Sequence, residues 1–200
     1  ENASATFFAR VRKVDTAKAK GAPGVVAIYT GADLEGVNGL PCGWLITSVD
    51  GTPMKEPPHW VLAKGKVCYV GDALAMVVAE SPEQAKDAAE LIAVDYEVLP
   101  AVVDPVAALK SGAPQIHEGA PGNKCYTWAL GDKAAVDAAF AKAAHVTKLD
   151  IVNNRLIPNA IEPRSYNSSY DPTSGKYTLY TSSQNPHLIR LLMCAFVLGI

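Results

Sequence analysis

Two hundred residues with a formal charge of −2 leave room for one or two domains. An apolar content of 49% beside 19% charged residues belongs to a packed globular chain and excludes a disordered one. Lys and Arg form no basic stripe, which excludes a nucleic-acid surface, and no apolar run reaches the roughly 20 residues of a membrane-spanning helix. Cys42, Cys68, Cys125 and Cys194 are far apart and show no C-x-x-C spacing. They read as reduced thiols of a cytoplasmic chain, not as zinc or iron–sulfur ligands.

The elements follow in chain order. Ala9 to Arg12 alternates like the end of a strand, and Asp15 is placed to cap a short helix through Lys20. Val25 to Thr30 is a β-rich run closed by Gly31, and residues 31–63 form a Gly- and Pro-containing excursion. Lys66 to Val70 and Ala73 to Ala79 flank Gly71-Asp72, which predicts a tight hairpin turn. Ser81-Pro82-Glu83-Gln84 is a helix start, with Ser81 as N-cap, Pro82 in the first turn and Gln84 at the reciprocal capping position. Ala85, Ala88, Ala89 and Ile92 then make one apolar helical face. Ala93 to Val98 alternates as a half-buried strand ended by Pro100, and Asp104-Pro105 opens a short helix stopped by Gly112.

Residues 112–131 read as a connector. A helix capped by Asp132 is predicted over Lys133 to Ala144, burying Val136, Ala139, Phe140 and Ala143. An extended segment over about 145–157 leads into Pro158. A strand near 164–170, a turn over Asp171 to Gly175 and a returning strand over Tyr177 to Thr181 follow. Asn185-Pro186 caps a last helix whose stripe is Leu188, Leu191, Leu192, Ala195 and Phe196, and Gly199 stops it. Both ends of the chain, Glu1 and Ile200, read as cuts within a longer polypeptide.

The chemistry concentrates at Gln184, between the last strand and the last helix. A helix start exposes unpaired N–H groups and positive dipole, which favour an anionic ligand. A primary amide there donates a hydrogen bond without carrying charge. On sequence geometry alone a capping or turn role is the favoured reading of it. Glu162 and Arg164 suit an ion pair that fixes two strands. His187 suits a polar surface position, and His59, His117 and His145 lack ligand spacing.

The stretch Asn153 to Arg164, with Glu162-Pro163-Arg164 at its end, and Thr181 to His187 resemble the molybdenum-binding large subunit of the xanthine dehydrogenase / aldehyde oxidase / aerobic CO dehydrogenase family. Val14 to Leu34, Val70 to Glu80 and Ala85 to Glu97 resemble that family's α/β hammerhead domain, and Leu130-Gly131-Asp132 with Ala139-Phe140 its molybdenum-binding domain. Glu1 to Thr6 do not match the strand and Arg-Ser-Pro segment that usually precede this region, and no Gly-Gly-Gly-Phe-Gly motif is present.

The resemblance implies an α+β fold: a hammerhead domain over 1–115, a connector over 116–131, and the incomplete start of a molybdopterin-binding α+β domain over 132–200. It implies that Gln184 contacts the cofactor, hydrogen-bonding an oxygen ligand of the metal. No catalytic residue and no direct metal ligand is expected within the chain, because the family's catalytic glutamate lies beyond Ile200. The implied cofactor is molybdopterin in its cytosine dinucleotide form with molybdenum, and iron–sulfur clusters and FAD sit on other domains or subunits. The implied partners are the remainder of the large subunit, an iron–sulfur subunit, an FAD subunit and a small-molecule substrate. The implied reaction hydroxylates an aldehyde or N-heteroaromatic carbon with oxygen from water, or oxidises CO, with electrons passing to iron–sulfur and flavin. The isolated 200-residue chain is expected to be inactive. Two alternatives compete: a non-catalytic hammerhead assembly module that binds no cofactor by itself, and an unrelated small-molecule binding domain.

Overall fold

The computed structural model describes residues 8–154, 156 and 160–200, and the architecture is α+β. Two compact units divide it: residues 1–128 with 190–200, and residues 129–189.

The first unit is built on β1 (Ala9–Asp15), which lies antiparallel between β3 (Lys66–Val67) and β5 (Ala93–Val98). A second antiparallel pair joins β2 (Val25–Thr30) to β4 (Ala75–Ala79). Both ladders carry a bulge, between Val11 and Lys13 in β1 and between Val25 and Ala27 in β2. The extra residue re-aims the strand and increases its twist. Helix α1 (Ala17–Lys20) and helix α2 (Pro82–Glu90) pack on each other and on β2. Ala19 and Ala88 are fully buried, because small side chains let these elements approach closely. The core proper holds Ala9, Ala63 and Val67, flanked by Val11, Leu74 and Tyr96.

Local helix signals operate as residue types require. Ser81 Oγ accepts from Gln84 N at 3.3 Å and Asp104 caps α3 (Pro105–Ala108) through Ala107 N, whereas the expected cap by Asp15 is corrected: the N-cap of α1 is Thr16, which makes no side-chain cap bond, and Asp15 Oδ1 accepts from Ala17 N at 3.1 Å one residue outside it. The reciprocal half of the Ser81 capping box does not form. The Gln84 side chain instead occupies the space left by the missing Cβ of Gly24, whose φ is +73°. Its Oε1 is buried there without a hydrogen-bond partner among the described residues.

The predicted hairpin across Gly71-Asp72 is not formed. The turn exists, with Gly71 at φ +96°, but the flanking strands belong to different sheets. The reason is where the backbone groups go. Asp72 Oδ2 takes the Cys68 N–H at 3.0 Å, and Ala73 O takes the Ala63 N–H at 2.7 Å, so neither is left for a ladder across the turn. Val67 is meanwhile drawn into the core beside Ala9.

The second unit holds α4 (Lys133–Lys142), then β6 (Tyr166–Asp171) and β7 (Lys176–Thr181) paired as a hairpin. Asp132 caps α4 by accepting from Ala135 N at 3.0 Å. Asp171 organises the hairpin turn by accepting from Thr173 N at 2.9 Å. The expected buried face of α4 is corrected: Val136 is 51% and Phe140 61% exposed. No described residue of this unit is buried, because one ten-residue helix and one two-stranded hairpin offer too little surface to close a core. Residues 145–154 run without a ladder, and Arg155, Ile157, Pro158 and Asn159 lie outside the described residues.

The last helix is α5 (Pro186–Leu191), which belongs to both units in turn and continues as a π-helical stretch, Leu192–Leu198. Gly199, at φ +68°, gives it the left-handed stop its sequence foretold. The stripe is largely solvent-facing, with Leu188, Leu191 and Phe196 exposed. The wider π turn breaks the 3.6-residue period on which that stripe was counted. No described helix is long and apolar enough to cross a membrane.

Candidate functional site

Strand β7 delivers the chain to Ser182, and four residues later α5 begins. The connection is held locally. Thr181 Oγ1 donates to Ser182 O at 3.4 Å, Ser183 Oγ accepts from Asn185 N at 3.0 Å, and Ile189 N donates to Asn185 O at 3.0 Å. With Asn185 N satisfied by Ser183, the turn needs nothing from its neighbour Gln184. The Gln184 side chain is exposed, and its amide makes no hydrogen bond with the described residues. It therefore presents an uncharged NH2 donor group and an uncharged carbonyl acceptor to whatever approaches this turn. α5 is only six residues before the π stretch, so the helix dipole adds little here.

The neighbouring motif residues are placed as follows. Glu162 and Arg164 are exposed and form no ion pair among the described residues, so the expected brace between two strands is absent. Extended segments without a ladder do not bring their side chains together. His187 is exposed in the first turn of α5, and His145 Nε2 lies 3.2 Å from Thr147 Oγ1. Among the described residues no group of three His, Cys, Asp or Glu side chains is arranged to hold a metal. The turn at Gln184 offers hydrogen bonding and no charge of its own.

A second concavity was not foreseen from the sequence. A pocket of about 440 Å³ in the first unit is lined by His59, Tyr69, Cys68, Lys66 and His117 among others. His59 Nε2 is 3.2 Å from the Tyr69 hydroxyl. Lys66 Nζ donates to Ile116 O at 2.7 Å and to Glu118 Oε1 at 3.0 Å. Burial, then the Lys66 charge, pushes the His117 imidazole below its ordinary value. Burial pushes the Cys68 thiol up. A neutral imidazole, a protonated thiol and an already paired lysine do not make an activated nucleophile. No spacing links His59 to His117 in the sequence, so only the fold could reveal it.

Comparison with known proteins agrees with this architecture. Residues 3–100 match the family described as aldehyde oxidase and xanthine dehydrogenase, a/b hammerhead domain. Residues 116–200 match the molybdopterin cofactor-binding domain. The chain is 38% identical to the carbon monoxide dehydrogenase large chain of Afipia carboxidovorans, over 95% of this chain and 24% of that protein. The crystal structure of Cu,Mo-CO dehydrogenase in its carbon monoxide reduced state superposes with a TM-score of 0.81 at 34% identity, over 98% of this chain and 25% of that one. Quinoline 2-oxidoreductase from Pseudomonas putida 86 superposes with a TM-score of 0.83 at 31% identity, over 96% of this chain and 24% of that one. The chain thus spans about a quarter of the length of these relatives.

Proposed function

The chain belongs to the xanthine dehydrogenase / aldehyde oxidase / aerobic CO dehydrogenase family, in the N-terminal region of the molybdopterin-binding large subunit, and from that premise we propose that it serves a molybdenum hydroxylase. The reaction is oxidation of an aldehyde or N-heteroaromatic carbon, or of CO, with oxygen drawn from water. Residues 1–115 act as the hammerhead domain, 116–131 as connector and 132–200 as part of the cofactor-binding domain.

The observation that carries this reading is the exposed Gln184 amide, unengaged by the described residues on a turn that is satisfied without it. A neutral amide on a turn that is held without it fits an oxygen-rich cofactor: Nε2 donates to an oxygen, and no opposing charge needs desolvation. Molybdopterin, when bound, supplies two-electron chemistry and oxygen transfer. Gln184 supplies an uncharged donor that stabilises negative charge on an oxygen acceptor it engages. Ser183 holds the backbone of the turn that carries that donor by accepting from the Asn185 N–H. The cofactor in this reading is the cytosine dinucleotide form. The remainder of the large subunit provides the general base and the substrate pocket. Iron–sulfur and FAD subunits take the electrons, and the assembly works in the cytoplasm.

The test is Gln184→Ala in the complete enzyme. Loss of one fixed donor lowers kcat by about 10 to 1,000-fold while molybdenum content stays normal. Unchanged kcat at full molybdenum occupancy would remove Gln184 from the site. A complete large subunit isolated without molybdenum would leave the assembly-module reading in its place.

A further inference from the structure

The pocket that His59, Tyr69 and His117 share holds no activated nucleophile, yet its walls are braced from several sides. Two side-chain amides hold the loop that carries His117. Asn123 Oδ1 accepts from Ile116 N at 2.9 Å, and Asn123 Nδ2 donates to Pro114 O at 2.8 Å and to Ala108 O at 3.0 Å. Gln115 Nε2 donates to His117 O at 2.7 Å and to Ala120 O at 2.6 Å. Beside β3, Asp72 Oδ2 takes the Cys68 N–H at 3.0 Å and fixes the turn that follows Tyr69. Gly39 lies so close to the His59 carbonyl that a Cβ there would run into it, which seats that stretch of the wall. A cavity of about 440 Å³ held in this way has the size of a preformed small-molecule site.

Its polar lining leaves hydrogen-bonding capacity unused. The backbone carbonyl of His117 is engaged, but its ring makes no hydrogen bond with the described residues. Held neutral, that ring has one nitrogen to accept and one N–H to donate. His59 Nε2 meets the Tyr69 hydroxyl at 3.2 Å, and the two rings are stacked with their planes 22° apart. Whichever of the two donates, the pair keeps one proton for a third group. Pro57, Pro58 and Trp60 add apolar surface. Charge is disfavoured in both signs. Lys64 and Lys66 stand against Asp72 and Glu118, so the formal charges of these side chains cancel. Both ammonium groups are already engaged, Lys64 with Leu34 O and the Trp60 ring, Lys66 with Ile116 O and Glu118. Burial is the largest cause that pushes the Cys68 thiol and the Tyr69 hydroxyl up, and the largest that pushes His117 down. An environment that resists both a thiolate and an imidazolium penalises anions and cations alike.

We propose that this pocket is a non-covalent binding site for an uncharged, planar aromatic amide. The ligand's carbonyl accepts the proton that His59 and Tyr69 keep, its N–H donates to the unprotonated nitrogen of His117, and its ring packs on the prolines and Trp60. A carboxylate of the same shape finds no unengaged cation, and an amidinium adds a third cation beside Lys64 and Lys66. The pocket lies within the first unit and Gln184 in the second, so this site stands or falls apart from the cofactor reading.

Two thiols, Cys68 and Cys125, line the pocket and report on its occupancy, and the exposed Cys42 lies outside that lining. The experiment is alkylation of the assembled enzyme by iodoacetamide at about pH 8, where thiolate forms, with each cysteine followed by peptide mass spectrometry. A bound molecule slows the pocket thiols by the factor 1 + [L]/Kd. Benzamide, with about nine non-hydrogen atoms, binds at about 1 mM, so about 10 mM slows Cys68 and Cys125 roughly tenfold and leaves Cys42 unchanged. Benzoate and benzamidinium, its anionic and cationic counterparts, slow them less than about twofold at the same concentration. Acetophenone, which keeps the carbonyl and lacks the N–H, does no better than about twofold. Equal protection by acetophenone or by either charged probe overturns the proposal, as does no protection by benzamide. Slowing of Cys42 in step with the pocket pair overturns it too, since the effect would then be global. Pocket thiols that never react in the folded enzyme also overturn it, because the cavity would be closed to small molecules.

Discussion

Gly31→Ala tests how tightly the segment before β3 is clamped onto β2. A Cβ built at Gly31 lies 2.4 Å from Ala63 O and 3.1 Å from Ala63 C. Both are backbone atoms, so no rotamer change relieves the clash, and the segment around Ala63 must move. That segment buries Leu62 and Ala63, donates from Ala63 N to Ala73 O at 2.7 Å, and accepts from Val11 N at Gly65 O at 2.9 Å. One inserted carbon in a packed site costs about 1–3 kcal/mol, and weakening one of these hydrogen bonds adds about 1 kcal/mol. A total near 3 kcal/mol follows. Gly36→Ala is the control: it has φ +84° and nothing within 4 Å, so it carries backbone strain of about 1 kcal/mol and no clash. Trp44, Trp60 and Trp128 all lie in the first unit, so tryptophan fluorescence during urea unfolding reports on that unit. With a urea slope of about 2 kcal/mol/M, Gly31→Ala lowers the midpoint by about 1.5 M and Gly36→Ala by about 0.5 M. Equal shifts, or a larger one at Gly36, would refute the clash argument.

Asp132→Ala removes the cap on Ala135 N and costs α4 roughly 1 kcal/mol, seen as about fivefold faster hydrogen exchange in its first turn; unchanged exchange would show the cap to be idle. The depressed His117 value gives a pH dependence. The folded state resists protonation that the unfolded state accepts near 6.5, so this stability is present above that pH and is lost as pH falls through it toward the folded value. Between pH 7.5 and 5.5 the first unit's unfolding midpoint therefore falls more steeply in the parent than in His117→Asn, and parallel curves would contradict the burial assigned to the ring. Glu97 lies 3.6 Å from Arg10 and 3.5 Å from Arg12, but these guanidinium groups are well exposed. Glu97→Gln accordingly costs less than about 1 kcal/mol and loses even that at high salt, where a salt-independent cost above this would require a buried pair. The 200-residue chain is expected to show no substrate-dependent dye reduction, because Ser182 to Pro186 bring no charged group or general base to the turn; measurable turnover would place catalysis within these residues.

What the sequence reveals follows the range of each interaction. Ser81, Asp104 and Asp132 reach N–H groups three residues along, so a short pattern contains both donor and acceptor, and all three caps are where their patterns place them. The Gly71-Asp72 turn is legible for the same reason, but the strands beside it are not. A ladder partner is chosen by competition among distant edges, and here β1 takes Val67 while β2 takes β4. The α4 stripe fails differently. Its period is present in Val136, Ala139, Phe140 and Ala143, yet period tells which face is apolar and not what covers it. The resemblance carried by Asn153 to Arg164 and Thr181 to His187 located the turn that bears Gln184 without fixing what faces that amide. The joining of Val49 to Thr127 and of Lys55 to Cys125 has no motif at all, since those hydrogen bonds link segments far apart in the sequence. Exposure on α4 therefore expresses one physical fact: a local period specifies an apolar face, as Val136 and Phe140 do, without supplying the surface that would cover it.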